Sequence, residues 1–260
     1  MKAIILSAGK GTRMMPLTKD KPKCLLEISD GVSVIQSQVA ELSKCPAITK
    51  AIFILGYRAD QVEEELKALS ANSLPIEIIY NPFYDVSNNL MSLWTAQPIL
   101  DSDFVIINGD NIFNQNLLNV LASDSREGFG IAVSQKEIYD VEDMKVFIQN
   151  GFITRISKEI PVGEAQGEAS GFHKVIGQKA ITTFQKMLLK SIRNPKSRHQ
   201  FYLELFNSIV SEGGRLHSVL VDKSDWAEID FHPDLKLIRE GYTQFIENLN
   251  TSLRLLQKGK

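Results

Sequence analysis

A chain of 260 residues that is 43% hydrophobic can bury a sizeable core, as one large domain or two small ones. Its 29 basic and 31 acidic residues leave a net charge of −2, so no global field draws it to nucleic acid or to an anionic membrane, and any anion site must be local. Cys24 and Cys45 are too few for a disulfide framework or a metal cluster, and no apolar run has transmembrane or signal-peptide length; the expectation is a soluble, cytoplasmic protein without membrane insertion.

The chain opens with AIILS (3–7), a buried strand by its composition, followed by the glycine-basic loop GKGTR. Residues 33–45 carry an apolar stripe of helical period. AIFILG (51–56) reads as a strand, 59–70 as a helix, IEIIYN (76–81) as a strand, 88–100 as a helix and DFVIING (103–109) as a strand. Such alternation predicts an α/β fold with a mostly parallel sheet and helices on both faces. The second half is less regular. Residues 130–135 and 144–158 predict antiparallel strands, the latter folded at Asn150-Gly151; 169–177 predicts another strand, 180–193 and 201–214 amphipathic helices, 215–222 a strand, and 232–258 a long helix. No repeat or low-complexity linker divides the chain, so a single domain over 1–260 is expected, with a small mixed antiparallel insertion and a C-terminal helix. Phe245, Ile246, Leu249, Leu253 and Leu256 on that last helix form an apolar stripe suited to the chain's own sheet or to a homodimer.

A parallel strand that opens into a loop carries backbone N–H groups to the carboxyl edge of the sheet, where α/β proteins bind ligands. Gly9 and Gly11 remove Cβ atoms that would keep a phosphate from those amides, and Lys10, Arg13 and Lys23 supply charge. The spacing is neither that of a P-loop nor that of the dinucleotide fingerprint, whose third glycine is absent. On these grounds alone a phosphate loop and a solvated basic loop are equally good readings.

The full stretch carries more. Gly9-x-Gly11-x-Arg13, Pro16-Leu17-Thr18 and Lys21-Pro22-Lys23-Cys24-Leu25-Leu26 resemble, in order and spacing, the signature of the sugar-phosphate nucleotidyltransferases, usually written GxGxR…P…PKxLL. That resemblance implies a GT-A-like, Rossmann-like nucleotidyltransferase fold, with a nucleotide-binding half over 1–115 and an acceptor-binding half, including the C-terminal helix, over 116–260. It also implies nucleotide contacts from Leu6, Ala8, Gly9, Lys10, Gly11 and Thr12, and catalytic phosphate contacts from Arg13 and Lys23.

Asp110 directly follows an apolar strand, and Asp230 lies in AEIDFHPD; taken singly, each acid is most cheaply a turn or helix cap, and Asp234 is as good a cap as Asp230. Mg²⁺ asks for one or two carboxylates plus phosphate oxygens and water. The resemblance implies that Asp110 and Asp230 form such a metal pair, with Glu228 on the same strand face beside them. The segment NPFYDVSNNLMSLW (81–94) resembles the phosphocholine and phosphonate cytidylyltransferase branch, which implies that Ser87, Asn88 and Asn89 both cap a helix and face the nucleotide. Lys145, Lys158, Glu168 and Gly171 are the acceptor-binding residues implied by resemblance. Tyr84, Trp94, Phe172, Tyr202 and Trp226 are candidates to line a pocket for a cationic acceptor head; the four histidines show no metal spacing.

The expected activity is therefore transfer of a nucleotidyl group, with CTP favoured and Mg²⁺ as cofactor, to a small phospho- or phosphono-acceptor such as phosphocholine or aminoethylphosphonate, releasing pyrophosphate. The alternatives are a sugar-1-phosphate uridylyl- or thymidylyltransferase, a catalytically silent nucleotide-sensing subunit, and a nicotinamide-dependent oxidoreductase. The missing third glycine counts against the last.

Overall fold

The computed structural model describes residues 1–29, 31–69 and 74–240; the C-terminal apolar stripe expected over 245–256 lies outside them. Strand β1 (Lys2–Ser7) leads through the glycine loop to the short strands β2 (Glu27–Ser29) and β3 (Val32–Ser33), then α1 (Val34–Ser43), β4 (Lys50–Leu55), α2 (Ala59–Leu69) and β5 (Ile76–Tyr80). Next come α3 (Asn89–Thr95), β6 (Phe104–Asn108), β7 (Asn111–Phe113), α4 (Gln115–Ser123), β8 (Gly128–Ser134), β9 (Lys145–Gln149) and β10 (Phe152–Ser157). The described chain ends with β11 (Gly167–Ile176), α5 (Gln178–Ile192), α6 (Leu203–Ser211), β12 (Leu216–Leu220), β13 (Trp226–Glu228) and α7 (His232–Arg239).

Nine strands form one sheet in the order β5-β4-β1-β6-β11-β8-β12-β10-β9. The four strands β5, β4, β1 and β6 are parallel, as the helix–strand alternation predicts. β1, β4 and β6 are almost continuous apolar runs because both faces are covered. Ile4, Ile52, Ile54 and Ile106 pack into the core that includes Leu90, Phe184 and Phe206, while Ile5, Phe53, Val105 and Ile107 pack towards Ile35, Val62 and Leu117. The antiparallel segments of the second half continue this sheet: β11 runs antiparallel between β6 and β8, and the β9–β10 hairpin turns at Asn150 (φ 52°) and Gly151 (φ 80°), as that dipeptide predicts.

Helix α1 begins at a capping box in which Ser33 Oγ accepts from the Gln36 amide and Gln36 Oε1 accepts from the Ser33 amide. The helix expected over 88–100 is shorter: α3 ends at Thr95 and a 3₁₀ turn follows over Gln97–Ile99, with Pro98 at its start. Cys24 and Cys45 are buried and unpaired. No helix among the described residues is long and apolar enough to cross a membrane.

Candidate active site

The carboxyl ends of β1 and β6 open on a cavity of about 1120 Å³ lined by residues from both halves of the chain. Gly9 and Gly11 face it from the loop after β1. A Cβ built on Gly9 would meet no protein atom within 4 Å, so the space beside that glycine is open. Gly11 is held differently. Its φ of 62° is left-handed, and a Cβ there would lie 3.1 Å from Lys23 Cβ and 3.2 Å from Thr18 Cγ2. Thr18 Oγ1 donates to the Gly11 carbonyl at 2.8 Å, and Gly11 caps a 3₁₀ turn whose first amides, Thr12 and Arg13, have no acceptor within the turn.

The acids arrive by strand pairing. β7 and β13 form a two-stranded antiparallel ribbon that sets Glu228 opposite Asn111, and the Ile229 amide donates to the Asp110 carbonyl at 3.2 Å. One ligand oxygen each from Asp110, Glu228 and Asp230 lies within 4.8 Å of the others. Asp234 accepts from the amides of Asp230 and Phe231 at 2.8 and 2.7 Å, so it, rather than Asp230, serves the start of α7. The Asp230 side chain is thereby left for the cavity.

Lys23 Nζ bridges Asp110 Oδ2 at 2.6 Å and Asp230 Oδ1 at 2.9 Å, and the Arg13 fork holds both oxygens of Asp230 at 2.9 and 3.0 Å. Burial works to lower the Lys23 pKa, but the two aspartates outweigh it and the pKa is raised, so this lysine is a fixed cation. Burial, with Asp110 and Asp230 adding to it, pushes the Glu228 carboxyl up to about 8. Three convergent carboxylates, one of them reluctant to ionise, make an all-oxygen donor set that fits a hard divalent cation.

Beneath this cluster runs a buried hydrogen-bond chain. The Tyr202 hydroxyl donates to Asn108 Oδ1 at 2.9 Å, which leaves its oxygen to accept from His173 Nδ1 at 2.8 Å. Burial pushes the His173 imidazole down to about 3, so it stays neutral and orients Asn108 through Tyr202. His173, Tyr202 and Asn108 were not legible as a unit in the sequence, because they lie on three elements far apart in the chain.

The expected nucleotide residues Leu6, Ala8, Gly9, Gly11, Thr12, Ser87, Asn88 and Asn89 all line the cavity. Asn88 caps α3 by accepting from the Asn89 amide, Ser87 Oγ donates to the Phe83 carbonyl, and Asn89 Oδ1 accepts from the Tyr202 amide. Lys10 does not line the cavity: its ammonium pairs with Asp85 outside it.

Among the acceptor residues, Lys158 and Glu168 line the cavity, Lys158 paired with Glu142 at 2.9 Å. Gly171 lines it too, at φ 81°, where a Cβ would fall 2.6 Å from Asn111 Nδ2 and 2.8 Å from Asn108 Nδ2. Lys145 is placed elsewhere. It is fully buried, and its ammonium donates to the carbonyls of Asp140, Val141 and Asp143 at 3.0–3.2 Å, so it ties down the loop before β9 and does not reach an acceptor. Of the aromatic candidates, Tyr84, Tyr202 and Trp226 line the cavity, whereas Phe172 is core, edge-on to Phe113, and Trp94 packs against the core. Lys136 and Lys223 also line the cavity and were missed; each is a lone lysine in a loop, with no periodicity to mark it.

Residues 2–148 match the family model described as Nucleotidyl transferase. The chain is 26% identical to the CTP:phosphoglutamine cytidylyltransferase of Campylobacter jejuni, over 91% of this chain and 98% of that protein. It is 34% identical to the choline-phosphate cytidylyltransferase of Streptococcus pneumoniae over 117 residues, 45% of this chain and 48% of that protein. Its fold superposes on the inositol-1-phosphate CTP transferase from T. maritima with a TM-score of 0.77 at 20% identity, covering 95% of each chain. Because the family match runs through both the glycine loop and Asp110, the conclusion from sequence and geometry is the same: the chain belongs to the nucleotidyl transferase family.

Proposed function

We propose that the protein transfers a cytidylyl group from CTP to a small phosphorylated or phosphonate acceptor. The observation that carries this reading is the meeting of Arg13 and Lys23 with Asp110, Glu228 and Asp230 at the mouth of one cavity, beside an open glycine loop. An acceptor oxygen attacks the α-phosphorus; the new phosphorus–oxygen bond forms as the bond to the bridging oxygen breaks, and pyrophosphate leaves with that electron pair. The acceptor oxygen is already anionic at neutral pH, so no general base is required. That suits a cavity whose lining histidine, His173, is neutral and engaged with Tyr202.

Asp110 and Asp230, with Glu228 beside them, are the residues that would hold Mg²⁺, which when bound screens the triphosphate and polarises the α-phosphorus. The chain's own part is positioning and charge. Lys23 and Arg13 neutralise the oxygens of the triphosphate, the Thr12 and Arg13 amides add fixed dipoles, and Ser87 to Asn89 border the nucleotide end.

The preference for CTP rests on the names of the relatives with which the chain shares most of its length or its fold. A matrix of CTP, UTP, dTTP, ATP and GTP against phosphocholine, phosphoglutamine, aminoethylphosphonate and hexose-1-phosphates, read by pyrophosphate release, tests it. CTP with a non-sugar phosphate should lead; UTP or dTTP with a hexose-1-phosphate leading would replace this reading with the sugar-nucleotide one. Asp110→Ala should abolish turnover while circular dichroism stays that of the parent, and near-normal pyrophosphate release from that variant would remove Asp110 from the metal site.

A further inference from the structure

The wall of the same cavity carries four charges in alternation, and the proposed reaction uses none of them. Lys136 Nζ pairs with Asp143 Oδ2 at 2.6 Å and with Glu168 Oε2 at 3.1 Å; Lys223 Nζ reaches the same Glu168 oxygen at 3.4 Å. All four side chains line the cavity that holds Asp110 and Asp230. They come from three places: the single loop between β8 and β9, the start of β11, and the turn before β13. The Lys223 side chain is 41% exposed, although burial of its ammonium holds the pKa below the usual lysine value.

The aromatic surface beside these charges is already taken. Lys223 Nζ sits 3.4 Å from the centre of the Trp226 ring, and Lys136 Nζ lies 5.8 Å from that of Tyr139. A quaternary ammonium is recognised by an open aromatic face backed by carboxylates, and here it would have to displace a lysine or sit beside one at a cost in repulsion. A polyol gains little from two ammonium groups and two carboxylates already paired with one another. A ligand that carries both an ammonium and a carboxylate can match all four. Its carboxylate replaces Glu168 as partner of Lys136 and Lys223, and its ammonium meets the Glu168 and Asp143 oxygens so released.

We infer that the acceptor's far end, remote from its phosphate, is an amino-acid zwitterion read by Lys136, Lys223, Glu168 and Asp143. This inference rests on the cytidylyltransferase reading and narrows its acceptor class. Tyr84 and Tyr202 line the cavity as well, but the alternation of Asp143, Lys136, Glu168 and Lys223 sets the charge pattern of this wall.

The test uses the full-length protein with Mg²⁺ and CTP and compares kcat/KM for acceptors that differ in charge pattern. O-Phosphoserine and O-phosphohomoserine carry both charges, phosphoethanolamine and phosphocholine the cation alone, and 3-phosphoglycerate the carboxylate alone. At least one of the two zwitterions should exceed each single-charge acceptor by about tenfold or more, because a site built for a charged partner is left with unpaired charge when that partner is missing. Lys223→Met should raise KM for the zwitterion about tenfold with little change in kcat, and Lys223→Arg should restore most of the loss. Phosphocholine, phosphoethanolamine or 3-phosphoglycerate matching or beating both zwitterions would overturn the inference and leave the cytidylyl-transfer reading standing. A Lys223→Met variant with an unchanged preference would also overturn it. Absence of pyrophosphate release with every nucleotide and acceptor would overturn both.

Discussion

Gly9 and Gly11 stand two residues apart in one loop and answer to different constraints. Gly9 borders open space, whereas Gly11 combines a left-handed φ with tight contacts to Lys23 and Thr18. Gly9→Ala should leave the melting temperature unchanged and raise KM for CTP about tenfold, since the added methyl occupies the room for phosphate. Gly11→Ala should cost about 1–2 kcal/mol of stability by forcing a Cβ into left-handed backbone, read as a lower urea midpoint. Glu228 poses a question of protonation. Its folded-state carboxyl titrates near 8 rather than 4.5, so it holds a proton that the unfolded chain has released. The metal-free stability contributed by that proton is therefore full at low pH and fades as pH climbs from about 4.5 towards 8. Glu228→Gln should flatten this fall and raise the melting temperature at pH 8 by about 2–4 °C, while weakening Mn²⁺ or Mg²⁺ binding measured by calorimetry. In the parent, divalent affinity should rise with pH across the same window as the carboxyl gives up its proton. Arg13 and Lys23 were legible as candidates because they sit in a dense local motif, whereas Asp110 and Asp230, each a plausible cap taken singly, were joined only by the family resemblance. Glu228 was legible only as a neighbour of Asp230, since the burial that chiefly raises its pKa, and the distant Asp110 charge that adds to it, arise only when the chain folds.

At the scale of elements, long buried strands announce themselves and short ribbons do not. β1, β4 and β6 stand out as unbroken apolar runs because both of their faces are covered. β7 and β13 have three residues each, no alternation long enough to detect, and yet they bring Asp110 and Asp230 together. The loop from Lys136 to Asp143 shows a similar hidden dependence. Its place is fixed by the Lys145 ammonium beneath it, which a lysine at the head of an antiparallel strand does not advertise. Lys145→Met should leave the Asp140, Val141 and Asp143 carbonyls short of a donor and cost about 1–3 kcal/mol. Because Lys136, Glu142 and Asp143 belong to that loop, the variant should also raise the acceptor KM more than it lowers kcat. A kcat loss with an unchanged KM would contradict the anchoring role.

For the molecule as a whole, ligand binding should be visible as stability. The cavity draws its walls from both ends of the described chain, from Leu6 to Asp234, so a nucleotide that bridges them stabilises the folded state as a unit. CTP with Mg²⁺ at a hundred times its Kd should add about 2.7 kcal/mol, or about 5–10 °C in melting temperature, and GTP at the same concentration should shift it far less. The parallel half of the sheet was readable from alternation alone. The place of β11 was not, because strand order depends on long-range pairing, and here a strand from the second half inserts antiparallel beside β6.

That insertion has a geometric consequence. β11 is hydrogen-bonded to β6 and β8, and at its start to β9, so it cannot lengthen to suit a guest. Glu168 lies near its beginning, and Gly171, packed on Asn108 and Asn111 beside Asp110, lies three residues further on. Even a fully extended strand covers at most about 10 Å in three steps, and here the register shifts between Ala169 and His173 and Gly171 is left-handed, so the span is no longer than that. On the proposed reading of the acceptor site, this strand would be a gauge with fixed marks, turning the number of methylenes between an acceptor's phosphate and its far charge into a fit or a misfit. A homologous series of acceptors lengthened by one carbon at a time should therefore pass through a single sharp optimum.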